Sequence, residues 1–117
     1  MKGIILAAGQ GSRMGPTTND KPKCMITYKG KPIINYTIDV MRSCGIKDIV
    51  IVNGYKKDVL VKHLEKSNVK FITNEKYKST NMVYTLFCAE SEMNDDIVVS
   101  YADIIYKKEV LEKLIQD

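Results

Sequence analysis

One stretch near the start of the chain gathers residue types that handle anions: LAAGQGSRMGPTTNDKPK, residues 6–23. The small residues Ala7, Ala8 and Gly9 let backbone lie against a flat base. Gly11 and Ser12 can present main-chain N–H groups to phosphate oxygens, as successive amides do in anion-binding turns. Arg13 adds a planar fork of donors suited to phosphate oxygens, and Lys23, held behind Pro22, adds a mobile point charge. Two cations flanking one backbone cradle suit a triphosphate. A glycine turn with two solvated basic residues is the plainer alternative, and the glycines alone would favour it.

Spacing excludes other phosphate cradles. Walker A needs GxxxxGK followed by Ser or Thr, and Gly9, Gly11 and Gly15 give neither that interval nor the lysine. A dinucleotide fingerprint needs GxGxxG running directly into a helix, but Met14 stands at the third glycine position and a polar loop follows. A receiver domain needs a cluster of acids after its first strand, where this chain has LAAGQG.

A second chemistry-bearing position lies far along the chain. In DIVVSYADIIY, Asp103 follows an apolar run, just beyond the expected carboxyl end of a strand. A carboxylate there can hold Mg²⁺, which takes one or two carboxylates plus substrate oxygens, or it caps a turn. The single histidine, His63, reads as a structural or surface residue on a helix flank. Cys24 stands beside Lys23, but the sequence supplies no base to activate it. Tyr77, Tyr84, Tyr101 and Tyr106 fit either ordinary packing or a cation–π pocket.

The elements that must position these residues alternate in type. Lys2 to Ala8, Asp48 to Asn53, Val69 to Thr73 and Ile97 to Ser100 read as strands, the first two apolar enough to be covered on both faces. Between them, Pro32 can open a helix carrying Ile34, Ile38 and Met41 at helical spacing, which Gly45 stops. Lys57 to Lys66 sets Val59, Leu60, His63 and Leu64 along one side of a second helix. Ser79 or Thr80 can cap a third helix running to about Met93. The closing KKEVLEKLIQD reads as a helix whose Val110, Leu111, Leu114 and Ile115 need cover. The alternation predicts an α/β, Rossmann-like three-layer sandwich with a mostly parallel sheet. Its ligands should sit at the carboxyl ends of the strands, where the glycine stretch begins.

Composition sets the outer bounds. At 117 residues the chain is one domain. Hydrophobic residues at 44% and charged residues at 27% are ordinary values, and no run is long enough to span a membrane. The apolar segment Ile4 to Ala8 is too short for a secretory leader, so a cytoplasmic location without a membrane partner is expected. Cys24, Cys44 and Cys88 are odd in number, widely spaced and without a CxxC pair, which predicts reduced thiols. The 18 basic and 14 acidic residues leave a net charge of +4. That balance suits an anionic ligand and is too diffuse to argue for nucleic acid.

LAAGQGSRMG followed by KPK closely resembles the signature of the nucleoside-triphosphate transferases, the family of sugar-1-phosphate nucleotidyltransferases and related cytidylyltransferases. The resemblance implies that Leu6, Ala7, Ala8, Gly9, Gly11 and Ser12 hold the nucleotide, that Arg13 binds the triphosphate and that Lys23 stabilises charge around the reacting phosphates. ITNEKYKSTNMVYTL is similar to the corresponding stretch of phosphocholine cytidylyltransferase-like members, which implies Asn74, Thr80 and Asn81 near the base and ribose. Asp103 falls where family members place an Mg²⁺ ligand. The implied reaction is Mg²⁺-dependent nucleotidyl transfer from a nucleoside triphosphate, CTP favoured, to a small phosphorylated or phosphonate acceptor, with release of pyrophosphate. UTP- or dTTP-dependent sugar-1-phosphate chemistry and a catalytically silent nucleotide-binding module are the alternatives. Family members continue for about as long again, so residues 1–117 are expected to be a truncated nucleotide-binding, amino-terminal portion of the fold. Phosphocholine, aminoethylphosphonate, phosphoglutamine and a sugar 1-phosphate all stay open as acceptors, as does a homo-oligomer.

Overall fold

Lys2, Gly3, Ile4, Ile5, Leu6 and Ala7 form a strand, β1 (Lys2–Ala7), that is buried at every position. Such a strand needs protein on both faces and both edges. A computed structural model describes residues 1–9, 22–77, 79–94, 96–102 and 108–116. In it, β4 (Asp48–Asn53) pairs with one edge of β1 and β6 (Ile97–Tyr101) with the other, both parallel. β5 (Lys70–Thr73) then pairs with β4, giving the order β5-β4-β1-β6. All three pairings are parallel, as the alternation of strands and helices implied.

Side-chain alternation along the strands divides the core in two. On one face Ile5, Ala7, Ile49, Ile51 and Val98 pack with Ile34, Ile38 and Met41 of α1 (Ile33–Ser43), Leu60 of α2 (Lys57–His63) and Leu111 of α4 (Lys108–Gln116). On the other face Ile4, Leu6 and Val52 pack with Ala89 and with Leu86 of α3 (Met82–Phe87). Helices thus cover both sides of the sheet, the expected three layers.

α1 ends as its sequence dictates. The Gly45 N–H bonds the Arg42 carbonyl and the Ile46 N–H bonds the Met41 carbonyl, each at 3.0 Å, with Gly45 at φ +87°. This is a Schellman cap, completed by the buried apolar side chains of Met41 and Ile46. The α1 N-cap is Pro32, which fits because proline costs nothing where no N–H partner exists.

Four details depart from the sequence reading. Residues 27–32 form a small hairpin, β2 (Thr27–Tyr28) and β3 (Lys31–Pro32), whose two loop residues, Lys29 and Gly30, both lie at positive φ as a two-residue turn requires. α2 stops at His63, because Leu64 turns into the core; His63 itself is exposed, with Nε2 2.7 Å from Asn35 Oδ1. α3 is capped by Asn81, not Ser79 or Thr80, and ends at Phe87; Ala89 then buries itself against β1 and a 3₁₀ turn follows at Glu90–Glu92. Of the apolar residues in α4, Leu111 is buried and Ile115 partly so, whereas Val110 and Leu114 are exposed.

At the amino-terminal ends of the strands, the Lys2 ammonium lies 3.0 Å from Glu92 Oε1 and 3.8 Å from Asp48 Oδ2, and Lys70 lies 2.5 Å from Glu92 Oε2. Among the described residues no helix is long and apolar enough to cross a membrane. Cys24, Cys44 and Cys88 are not joined in disulfides, and burial pushes the Cys88 thiol up.

Candidate functional site

The strand order reverses direction between β1 and β6: the chain moves outward from β1 to β4 and β5, then returns to β6 on the other side. In an open parallel sheet the crevice at the carboxyl ends of two such strands is where ligands bind. β1 delivers Leu6, Ala7 and Ala8 to that edge, all buried, and then Gly9, which is exposed. β6 ends beside them, with the Ala102 N–H donating to the Leu6 carbonyl at 3.1 Å. The carboxyl ends of β1 and β6 thus lie side by side, and in sequence the residue after Ala102 is Asp103.

Gly11, Ser12, Arg13 and Asp103 lie outside the described residues. Lys23 opens a 3₁₀ turn over Lys23–Met25, and its side chain likewise lies outside the described part. The turn is anchored by Cys24, which is buried against the α1 face of the sheet, so the cysteine serves packing. Tyr106 also lies outside the described residues.

Residues 74–77 and 79–81 lie between the carboxyl end of β5 and α3, whose Val83 and Leu86 stand beside Leu6 and Tyr101. Asn74 follows β5 and is buried, held by its own N–H to the Asn53 carbonyl at 2.8 Å. Its side-chain Nδ2 donates to Thr80 Oγ1 and to Thr85 Oγ1, each at 3.1 Å, and its Oδ1 accepts from the Lys76 N–H at 2.9 Å. Thr80 donates in turn to the Lys76 carbonyl at 2.7 Å. Asn74 and Thr80 therefore hold the segment in shape through protein contacts. Asn81 is exposed; its Oδ1 accepts from the Tyr84 N–H at 3.1 Å as the α3 N-cap, which leaves its amide nitrogen as the group able to reach a ligand.

The turn after β4 is Asn53-Gly54-Tyr55. Asn53 pairs with Ala7 in register and accepts from Thr73 Oγ1 at 2.8 Å. The Tyr55 N–H donates to the Ala8 carbonyl at 3.1 Å, and the Tyr55 and Tyr77 rings meet edge to face with centroids 6.0 Å apart. The sequence reading passed over these residues, although an Asn-Gly pair directly after an Ile-Val strand marks a turn at the ligand end of a sheet. Tyr77 is thus a packing residue, whereas Tyr84 and Tyr101 are exposed. Tyr101 joins Leu6, Val83, Leu86 and Val99 around an apolar hollow of about 170 Å³ beside β1. A larger cleft, about 590 Å³, is lined by Lys47, Asp48, Ile49, Asn68, Val69 and Lys70 at the opposite ends of the strands, away from the crevice.

Comparison with known proteins agrees with this geometry. The chain is 48% identical to CTP:phosphoglutamine cytidylyltransferase of Campylobacter jejuni over 98% of its own length and 48% of that protein's. It is 36% identical to choline-phosphate cytidylyltransferase of Streptococcus pneumoniae, covering 92% of the chain and 47% of the relative. A UTP–glucose-1-phosphate uridylyltransferase of Haloferax volcanii is 32% identical, with 91% and 44% covered. Among solved structures, CTP:phosphocholine cytidylyltransferase from Streptococcus pneumoniae superposes with a TM-score of 0.83 at 34% identity, covering 92% of this chain and 49% of that one. The chain thus spans about half the length of the curated relatives it matches. Residues 3–117 match the MobA-like NTP transferase domain, and the chain belongs to that family.

Proposed function

We propose that residues 1–117 are the nucleotide-binding portion of a cytidylyltransferase. The single observation that supports this reading is the hydrogen bond from the Ala102 N–H to the Leu6 carbonyl, which sets the carboxyl end of β1, where the glycine stretch begins, beside the carboxyl end of β6, one residue before Asp103 in sequence. The base and ribose would lie against Ala7, Ala8 and Gly9 with the Asn81 amide in reach, and the triphosphate would run along Gly11, Ser12, Arg13 and Lys23. CTP is favoured over UTP because the cytidylyltransferases are the more similar relatives.

In the reaction, a phosphate or phosphonate oxygen of the acceptor attacks the α-phosphorus of CTP in line, and the bond from that phosphorus to the departing pyrophosphate breaks. No protein nucleophile is needed. Arg13 and Lys23 neutralise the charge that grows on the phosphates and hold the two anions together, which is where catalysis of phosphate transfer chiefly arises. Asp103 is a hard oxygen donor of the kind Mg²⁺ takes, and its neighbour Ala102 is pinned beside β1. When bound, Mg²⁺ would offset charge on the nucleotide phosphates and so assist pyrophosphate departure.

The test is incubation of the protein with CTP labelled at the α-phosphate, Mg²⁺ and each of phosphoglutamine, phosphocholine, aminoethylphosphonate and glucose 1-phosphate. A CDP-linked product with matching pyrophosphate is expected from one of the phosphorylated amide or amine acceptors. Binding of CTP with no product from any acceptor would favour a nucleotide-binding module instead.

A further inference from the structure

Gly54 is buried at the end of β4, and its backbone is not in the left-handed region, which among the described glycines holds only Gly30 and Gly45. Glycine is needed there for space, not for conformational freedom. A Cβ at this position would lie 2.8 Å from Tyr77 Cβ, 3.1 Å from Ala8 Cβ and 3.1 Å from the Ala8 carbonyl oxygen. None of these atoms can swing aside by a side-chain rotation, because each moves only with its backbone. Ala8 is also the residue whose carbonyl accepts the Tyr55 N–H at 3.1 Å, and the turn carrying Tyr55 is closed by the Lys57 N–H on the Gly54 carbonyl at 3.1 Å. The main chain leaving β1 is therefore clasped from one side by a turn that admits it only because residue 54 has no side chain.

We propose that Gly54 is a positioning residue for the nucleotide. By letting Ala8 seat against the turn after β4, it sets the point from which Gly9 and the rest of the glycine stretch depart. The proposal rests on the reading of that stretch as the nucleotide cradle and adds to it a residue that acts through Ala8. Asn53 reinforces the same turn, since its carbonyl holds the Asn74 N–H and its side chain holds Thr73. Gly54 thus stands between the chain leaving β1 at Ala8 and the segment after β5 at Tyr77.

The experiment compares Gly54→Ala with Gly45→Ala in the full chain. Gly45 has φ +87° and no atom within 4 Å of an added Cβ, so its alanine variant loses stability through backbone strain alone, far from the crevice. In Gly54→Ala the amide resonances of Ala8 and Gly9 shift, hydrogen-exchange protection of the Tyr55 amide falls at least about tenfold, and affinity for CTP with Mg²⁺ falls at least about tenfold. Gly45→Ala leaves all three as in the wild type despite its lower melting temperature. Unmoved Ala8 and Gly9 resonances in Gly54→Ala, or equal changes in Gly45→Ala, overturn the proposal. Wild type that binds no nucleotide overturns the cradle reading and the proposal with it, whereas wild-type binding with unchanged affinity in Gly54→Ala overturns the proposal alone. Should Gly54→Ala fail to fold, exchange in the wild type carries the test: a Tyr55 amide protected like those within β4 supports the clasp, and one exchanging at the rate of a free surface amide overturns it.

Discussion

The Asn74 side-chain amide donates to Thr85 Oγ1 at 3.1 Å, tying the end of β5 to the interior of α3. With its bonds to Thr80 and Lys76, one buried side chain organises the segment between β5 and α3. Asn74→Ala leaves the Lys76 N–H without its acceptor and both threonines without a donor. The expected cost is about 2–4 kcal/mol of folding free energy, the scale of several hydrogen bonds lost around a buried site. Urea denaturation reads it, and a loss below about 0.5 kcal/mol would contradict the structural role.

Asn81 offers a cleaner separation of stability from binding. Aspartate caps a helix as well as asparagine does but lacks the amide donor. Asn81→Asp should keep the melting temperature within a degree or two of wild type, on the order of 0.5 kcal/mol, while weakening CTP binding. Asn81→Ala should lose both the cap, about 1 kcal/mol, and the affinity. Equal CTP affinity in wild type and Asn81→Asp would remove this amide from the site.

Arg13→Ala should weaken CTP binding by at least about 1.5 kcal/mol, the scale of one charge-assisted hydrogen bond. Calorimetric titration measures it, and unchanged affinity would place the triphosphate elsewhere.

Asp103→Asn keeps the shape of the side chain and removes its charge. CTP binding in this variant should no longer depend on Mg²⁺, while the melting temperature without ligand stays as in wild type. Persistent Mg²⁺ dependence would assign the ion to other groups.

Glu92 predicts an acid limb in stability. Hydrogen bonds from Lys70 and then Lys2 hold its carboxyl below the ordinary value of 4.5. An acid whose pKa is depressed by folding stabilises the fold above its unfolded pKa, and that stabilisation is lost as pH falls through the folded value. Glu92→Gln should therefore melt below wild type at pH 7, with the difference closing as pH falls below that ordinary value and through the depressed one. A difference that is constant with pH would show that the ion cluster at Lys2 contributes nothing.

Much of the fold was legible because β1 and β4 are unbroken apolar runs, and continuous Ile and Val with glycine and polar punctuation have few other solutions in a chain of alternating elements. The Gly45 stop was equally readable, since α1 ends in a local signal. The hairpin at residues 27–32 was not, because its strands are two residues each and carry no periodicity. α3 was overextended because Cys88 and Ala89 suit a helix locally; burial of Ala89 against β1 is what ends it. The site divides in the same way. Ala7, Ala8 and Gly9 could be named from a local motif, whereas the work of Asn74 depends on Lys76, Thr80 and Thr85 converging on one amide. That of Gly54 depends on Ala8 and Tyr77, neither of which is its neighbour in sequence.

The most direct test of the central claim is a thermal melt of this chain with CTP, UTP, dTTP, ATP and GTP, each with and without Mg²⁺, because a ligand that binds only the native state raises the midpoint. A shift with CTP that is larger than with any other nucleotide and needs Mg²⁺ is the predicted result. No shift with any nucleotide, at concentrations well above those typical of triphosphate sites, would contradict the assignment of the crevice between β1 and β6 to CTP.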